Sequence, residues 1–287
     1  MFRNLSDQKK GSLLAFIGVM FITPDSLFIR LASADTYQLL FYRGAIPFAT
    51  VLISLILIYK SKLIKLFLST GRHGIAYSLT FALTNITFII SIQNTNVANT
   101  LIMIALAPML SAILGMIFLK ENPDKKTWIA IILTTFAATY IFYDSLQIGN
   151  FLGDFFGLVT AIGLAAGAVI VRSAKNKNLV PSAVVGKFIV AIIAVFFVEN
   201  FKLVNNDFII IPAMCILCVA IPFVLVTIAP RFITAAEVNL FFLLETILGP
   251  IWVWMIIKEQ PTPETIQGGL LIILTIGIHS FFKIKNS

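Results

Sequence analysis

Lys120-Glu121-Asn122-Pro123 follows 23 residues without a charge, Val97 to Leu119, and a second uncharged run, Thr127 to Tyr143, lies beyond it. The arrangement recurs 138 positions later. Lys258-Glu259-Gln260-Pro261 stands between the apolar runs 238–257 and 265–282. Helix, short charged turn with a proline, and helix, stated twice at about half the chain length, marks an internal duplication.

The length of the apolar runs then decides the solvent. Of the 287 residues, 59% are hydrophobic and 12% are charged, and the mean hydropathy is +0.98. Soluble domains carry about 25% charged residues, so this chain lacks the polar surface to cover its own core. Its exterior must face lipid. A bilayer core takes about 20 helical residues. Segments of that kind fall near 11–31, 37–59, 74–95, 97–119, 126–143, 151–171, 179–198, 208–229, 233–257 and 264–282. Prolines interrupt several of them, which membrane helices tolerate where neighbouring helices re-satisfy the freed carbonyls. The joint between the halves falls at 144–150. Lys9, Lys10 and Ala32-Ser33-Ala34 resemble a signal peptide, but Pro24, Asp25 and Arg30 intervene, and the segment reads as an uncleaved first helix.

With the N-terminus in the cytoplasm, sixteen of the 21 Lys and Arg residues fall at cytoplasmic ends and three (Arg30, Lys202, Lys258) at the opposite ends. That bias supports ten helices. It also accounts for the net charge of +8 without a nucleic-acid partner. Five helices per half is an odd number, so the second half must be inverted. The expected fold is an all-α integral membrane protein of ten transmembrane helices in two inverted five-helix repeats, 11–143 and 151–282. Folds of this class place their substrate near the midplane between the repeats.

Four ionisable residues lie well inside the predicted helices: Asp25, Arg43, Lys187 and Glu245. Each costs about 2.5–3.5 kcal/mol at the bilayer centre. Arg43 and Lys187 stand at matching depth in the second helix of each half. Two readings remain open, a polar cavity with a substrate-binding cation and a protonatable acid, or two ion pairs that lock helices together. Glu245 is the most specific of the four. Gly249-Pro250 follows it, where a helix break is expected, and a carboxylate beside such a break suits a ligand amine or a proton. Ala107 stands 138 residues earlier, so the halves differ here. Asn85, mid-helix, lines the same cavity or bonds a neighbouring helix. Glu237, near a helix start, reads as interfacial.

Other features read as structural. Trp252 and Trp254 suit an interfacial belt. Gly149, Gly153, Gly157, Gly163 and Gly167 suit a close-packing face. Cys215 and Cys218 form a Cys-x-x-Cys without the context of a metal or redox site. His73, in a loop, and His279 lack partners at metal-ligand spacing. No nucleotide-binding, hydrolase or zinc-protease motif is present, so neither a cofactor nor an enzyme is expected.

At Ala107-Pro108 through Leu119-Lys120-Glu121, then Trp128-Ile129-Ala130, the chain resembles the EamA family of the drug/metabolite transporter superfamily. The second copy runs from Leu244-Glu245 through Lys258-Glu259 to Gln267-Gly268-Gly269, with Thr246 where the pattern expects Pro. The resemblance implies a multi-pass carrier of the plasma (inner) membrane with both termini cytoplasmic. It further implies a small-molecule substrate, an amino acid or related metabolite, moved by alternating access, often outward. Import by the same fold, a proton as coupling ion, and a monomer or homodimer remain open. A polytopic membrane enzyme and a channel are the competing classes.

Overall fold

A computed structural model of the chain describes residues 6–95, 97–142, 151–258 and 263–285. All regular structure among them is helical. The first half holds α1 (Asp7–Ile22), α2 (Asp25–Leu31), α3 (Thr36–Tyr59), the short α4 (Leu63–Ser69), α5 (Gly71–Asn94), α6 (Val97–Ile104), α7 (Ala107–Leu119) and α8 (Lys125–Phe142). The second holds α9 (Phe151–Ser173), α10 (Val180–Val195), α11 (Asp207–Ala213), a π-helical segment (Met214–Ala220), α12 (Ile221–Ile228), α13 (Ala235–Ile257) and α14 (Pro263–Lys285). Among the described residues, six helical stretches are long and apolar enough to cross a membrane: Asp7–Leu31, Thr36–Ser69, Gly71–Asn94, Phe151–Ser173, Asp207–Arg231 and Ala235–Ile257. Ala107–Leu119, Val180–Val195 and Ile266–His279 are shorter apolar stretches.

The helix boundaries follow from local chemistry. Asp35 caps α3 by accepting from the amides of Tyr37 and Gln38, while the Gln38 side chain accepts from the Asp35 amide, a capping box. Thr234 and Glu237 form the same device at the start of α13. The segment expected as one helix at 11–31 is two, because Pro24 has no N–H to continue the ladder and Thr23 turns its hydroxyl back onto the Met20 carbonyl at 2.9 Å. The 97–119 segment likewise breaks at Ala105–Leu106, where Pro108 leaves the Ile104 carbonyl without its usual donor. Pro222 does the same to Cys218, and the chain there winds into the wider π register. The break expected at Gly249-Pro250 does not occur; α13 runs through it. His73, expected in a loop, lies in the first turn of α5.

The duplication is visible in backbone detail. Lys120 (φ 55°, ψ 27°) and Lys258 (φ 67°, ψ 16°) both end their helices in the left-handed conformation. The rest of the second turn, Glu259 to Thr262, lies outside the described residues, as does the joint 144–150.

Helices also pair reciprocally across the halves. α3 packs on α10, α7 on α13 and α8 on α14, while α5 packs on α9 and α1 on α12. Each pairing survives exchange of the halves, as an approximate two-fold between the repeats requires. At the centre, a Cβ on Gly44 of α3 would sit 2.6 Å from the Ala191 amide nitrogen and 2.9 Å from the Lys187 carbonyl oxygen of α10. Only glycine lets those backbones meet. On α9, Gly153 approaches the Asn94 backbone and Gly163 the Thr84 hydroxyl; Gly149 lies outside the described residues. Large apolar side chains such as Leu57, Phe136 and Phe196 point outward, whereas Lys187 is 1% exposed. That inside-out distribution is the one a lipid exterior demands.

Candidate functional site

A cavity of about 150 Å³ lies between the repeats. Asp25, Arg43, Asn85, Lys187 and Glu245 all line it, although they come from five different helices spread over 221 positions of the chain. α2 supplies Asp25 just after the Thr23-Pro24 break. α3 supplies Arg43 beside Gly44, whose close approach to α10 brings Lys187 into the same space.

The charges do not pair as two salt bridges. Arg43 makes a bidentate pair with Asp25, Nη1 to Oδ1 at 2.6 Å and Nη2 to Oδ2 at 2.8 Å, and its guanidinium lies 5.9 Å from the Phe88 ring centre. Fork-to-fork geometry of this kind is the strongest form of the interaction. Lys187 does not meet Glu245. Its ammonium donates to the Asn85 Oδ1 at 2.5 Å and faces the Phe81 ring at 5.4 Å, and no carboxylate among the described residues forms an ion pair with it. Asn85 is itself oriented by donating from Nδ2 to the Phe81 carbonyl at 2.7 Å, so its oxygen is aimed at the lysine. Glu245 is 4% exposed, and its Oε1 has no hydrogen-bond partner. A buried acceptor left this way is costly unless a proton or a ligand meets it.

The cavity wall mixes these groups with aromatic and hydroxyl side chains. Phe81, Phe88, Phe223 and Phe242 form apolar surface. The Tyr77 and Thr227 hydroxyls bond each other at 2.8 Å, and Thr84 and Thr160 also line the space. Asn239 lines it too, donating to the Ser111 hydroxyl at 2.6 Å. Thr84, Thr160 and Thr227 escape sequence reasoning because hydroxyls in apolar helices are common; only their helix neighbours give them a place here. Cys218 lines the cavity and Cys215 donates weakly to the Tyr42 carbonyl at 3.4 Å; both are free and buried.

Other sequence expectations resolve elsewhere. Glu237 does not reach solvent. It is 3% exposed and serves as the α13 cap, with Gln8 donating to it at 3.3 Å. Trp254 is exposed as a belt residue would be, but Trp252 is half-buried and donates to the Thr23 hydroxyl at 2.9 Å, tying α13 to the α1–α2 break. His279 contacts the Thr127 hydroxyl at 3.1 Å between α14 and α8.

The two ends of the bundle differ. At one, the Ser33 amide donates to Asp207 at 2.9 Å and the Tyr42 hydroxyl to the Phe201 carbonyl. At the other lie the start of α1 and the segments near 70, 121, 175 and 231, joined by Arg172 to Glu121 at 2.8 Å, Arg231 to the Lys175 carbonyl at 2.8 Å and Lys177 to the Thr70 carbonyl at 3.4 Å. These four segments, which are among those expected to share a membrane side on charge grounds, meet in space.

A crystal structure of another protein superposes on this one with a TM-score of 0.79 at 14% sequence identity, covering 96% of this chain and 98% of that one. At that identity the likeness speaks for the fold. No curated protein matches the sequence. The family model described as the EamA-like transporter family matches twice, at residues 9–143 and 151–281. Together the two matches span nearly the whole chain, one on each side of the joint, and the chain is a multi-pass member of the EamA-like transporter family of the drug/metabolite transporter superfamily.

Proposed function

We propose that the protein is a secondary carrier of small zwitterionic metabolites, amino acids or close relatives, working by alternating access and moving them outward. In this reading ten helices cross the plasma (inner) membrane, the repeats are inverted, and both termini are cytoplasmic. The observation that carries the proposal is the division of labour in the central cavity. Asp25 and Arg43 neutralise each other, which leaves Lys187, set by Asn85, for a substrate carboxylate, and Glu245, with its unmet oxygen, for an ammonium group or a coupling proton. Buried charges without mates in a membrane bundle usually belong to a transport pathway.

The geometry shifts one role from that expected of the residues alone. Arg43 already gives both terminal guanidinium nitrogens to Asp25, which supports Lys187 as the anion-binding cation. Reconstituted proteoliposomes loaded with a panel of amino acids test this, with and without a pH gradient. At least one member should be transported saturably, and Lys187→Gln and Glu245→Gln should each reduce its transport by about a hundredfold, the loss of roughly 2.7 kcal/mol. Wild-type rates in both variants would remove the site assignment.

A further inference from the structure

A second cavity, of about 480 Å³, lies at the end of the bundle that holds the chain start. Arg172, Lys175, Asn176, Arg231, Phe232 and Asp7 line it. Its lining adjoins that of the central cavity at two places in the chain, Val171 to Arg172 at the end of α9, and Pro230 to Arg231 after α12. Three cations, Arg172, Lys175 and Arg231, and one carboxylate, Asp7, converge here, and neighbouring ion pairs offset Arg172 and Asp7 but not Lys175 or Arg231. Glu121 takes Arg172 at 2.8 Å, and Asp7 takes Lys10 at 3.8 Å. Arg231 spends its Nε on the Lys175 carbonyl, and Arg172 directs an Nη toward the Arg231 carbonyl at 3.4 Å. Among the described residues no ion pair involves Lys175 or the remaining guanidinium face of Arg231. Two like charges held together in one recess repel each other unless an anion completes them.

We propose that this recess is an anion-attracting antechamber that gathers carboxylate-bearing solutes at the cytoplasmic mouth and passes them to Lys187. The inference rests on the transport reading above and adds a second specificity determinant to it. A cleft with an excess of one sign of charge raises the local concentration of groups of the opposite sign. Solutes without a carboxylate gain nothing from Lys175 and Arg231, so selection for that group begins before the central cavity.

The test uses charged thiol reagents as probes. In full-length protein with Cys215→Ala and Cys218→Ala, Asn176→Cys places one thiol in the recess. The anionic sulfonatoethyl and the cationic trimethylammonioethyl methanethiosulfonates are compared in phosphatidylcholine nanodiscs, each rate normalised to that with a free thiol. The expected preference for the anionic reagent is about tenfold or more. It should fall to near unity in Lys175→Gln/Arg231→Gln and in 1 M salt, where screening shortens to about 3 Å. Equal rates for the two reagents, or a preference that survives the double substitution, would overturn the proposal. So would a preference erased by adding phosphatidylglycerol, since a lipid headgroup would then be the occupant. Labelling does not depend on transport, so the antechamber and the carrier reading can fail separately.

Discussion

At the scale of single residues, the structure separates Asp25 and Arg43, which pair with each other, from Lys187 and Glu245, which form no ion pair among the described residues. Asp25→Ala leaves Arg43 buried without a partner and should destabilise the protein by about 3–5 kcal/mol, visible as a lowered melting midpoint in detergent. Asp25→Asn/Arg43→Met, which removes both charges, should recover most of that loss. Lys187→Met behaves in the opposite sense. It deletes a buried cation with no carboxylate mate, so the midpoint should match or exceed wild type while transport falls. A midpoint as low as that of Asp25→Ala would make Lys187 structural. That Asp25, Arg43, Lys187 and Glu245 each interrupt a long apolar run is plain from the sequence. Which acid meets which base is not, because Asn85 reaches Lys187 from 102 positions away and no periodicity announces it.

At the scale of elements, glycine and proline set the architecture. Gly44→Val forces side-chain atoms into the α10 backbone at a contact that has no room even for a Cβ, and should cost about 1–3 kcal/mol or more. Gly115→Ala, in α7 where nothing lies within 4 Å of an added Cβ, should instead stabilise by up to about 1 kcal/mol through helix propensity. Thermal melts of the two variants side by side check both signs. Helix positions were readable from apolar length alone. Helix continuity was not, because the same residue type breaks the chain before Asp25 and near Pro108, yet leaves α13 whole at Pro250. A proline deletes one hydrogen bond wherever it stands, and packing from neighbouring helices decides whether the helix survives.

At the scale of the whole molecule, the repeat is the organising fact. The turn at Lys120 and its twin at Lys258 end their helices in the same left-handed conformation, and helices pair across the halves in a pattern that exchange leaves unchanged. The duplication was legible because both turns carry Lys, Glu and Pro at the same spacing; the cavity was not, since it is built from faces that meet only when the halves pack. Within that frame the asymmetry matters most. Glu245 has Ala107 at the matching place, so the acid belongs to one repeat only. The central claim is that Lys187 and Glu245 together bind a zwitterion. Its most direct test is thermal stabilisation of the purified protein by a panel of amino acids, run in parallel on wild type, Lys187→Gln and Glu245→Gln. A ligand at a hundred times its Kd stabilises the folded state by about 2.7 kcal/mol. The account predicts that at least one amino acid raises the wild-type midpoint and that neither variant responds to it. An amino acid that stabilises all three proteins equally would contradict it.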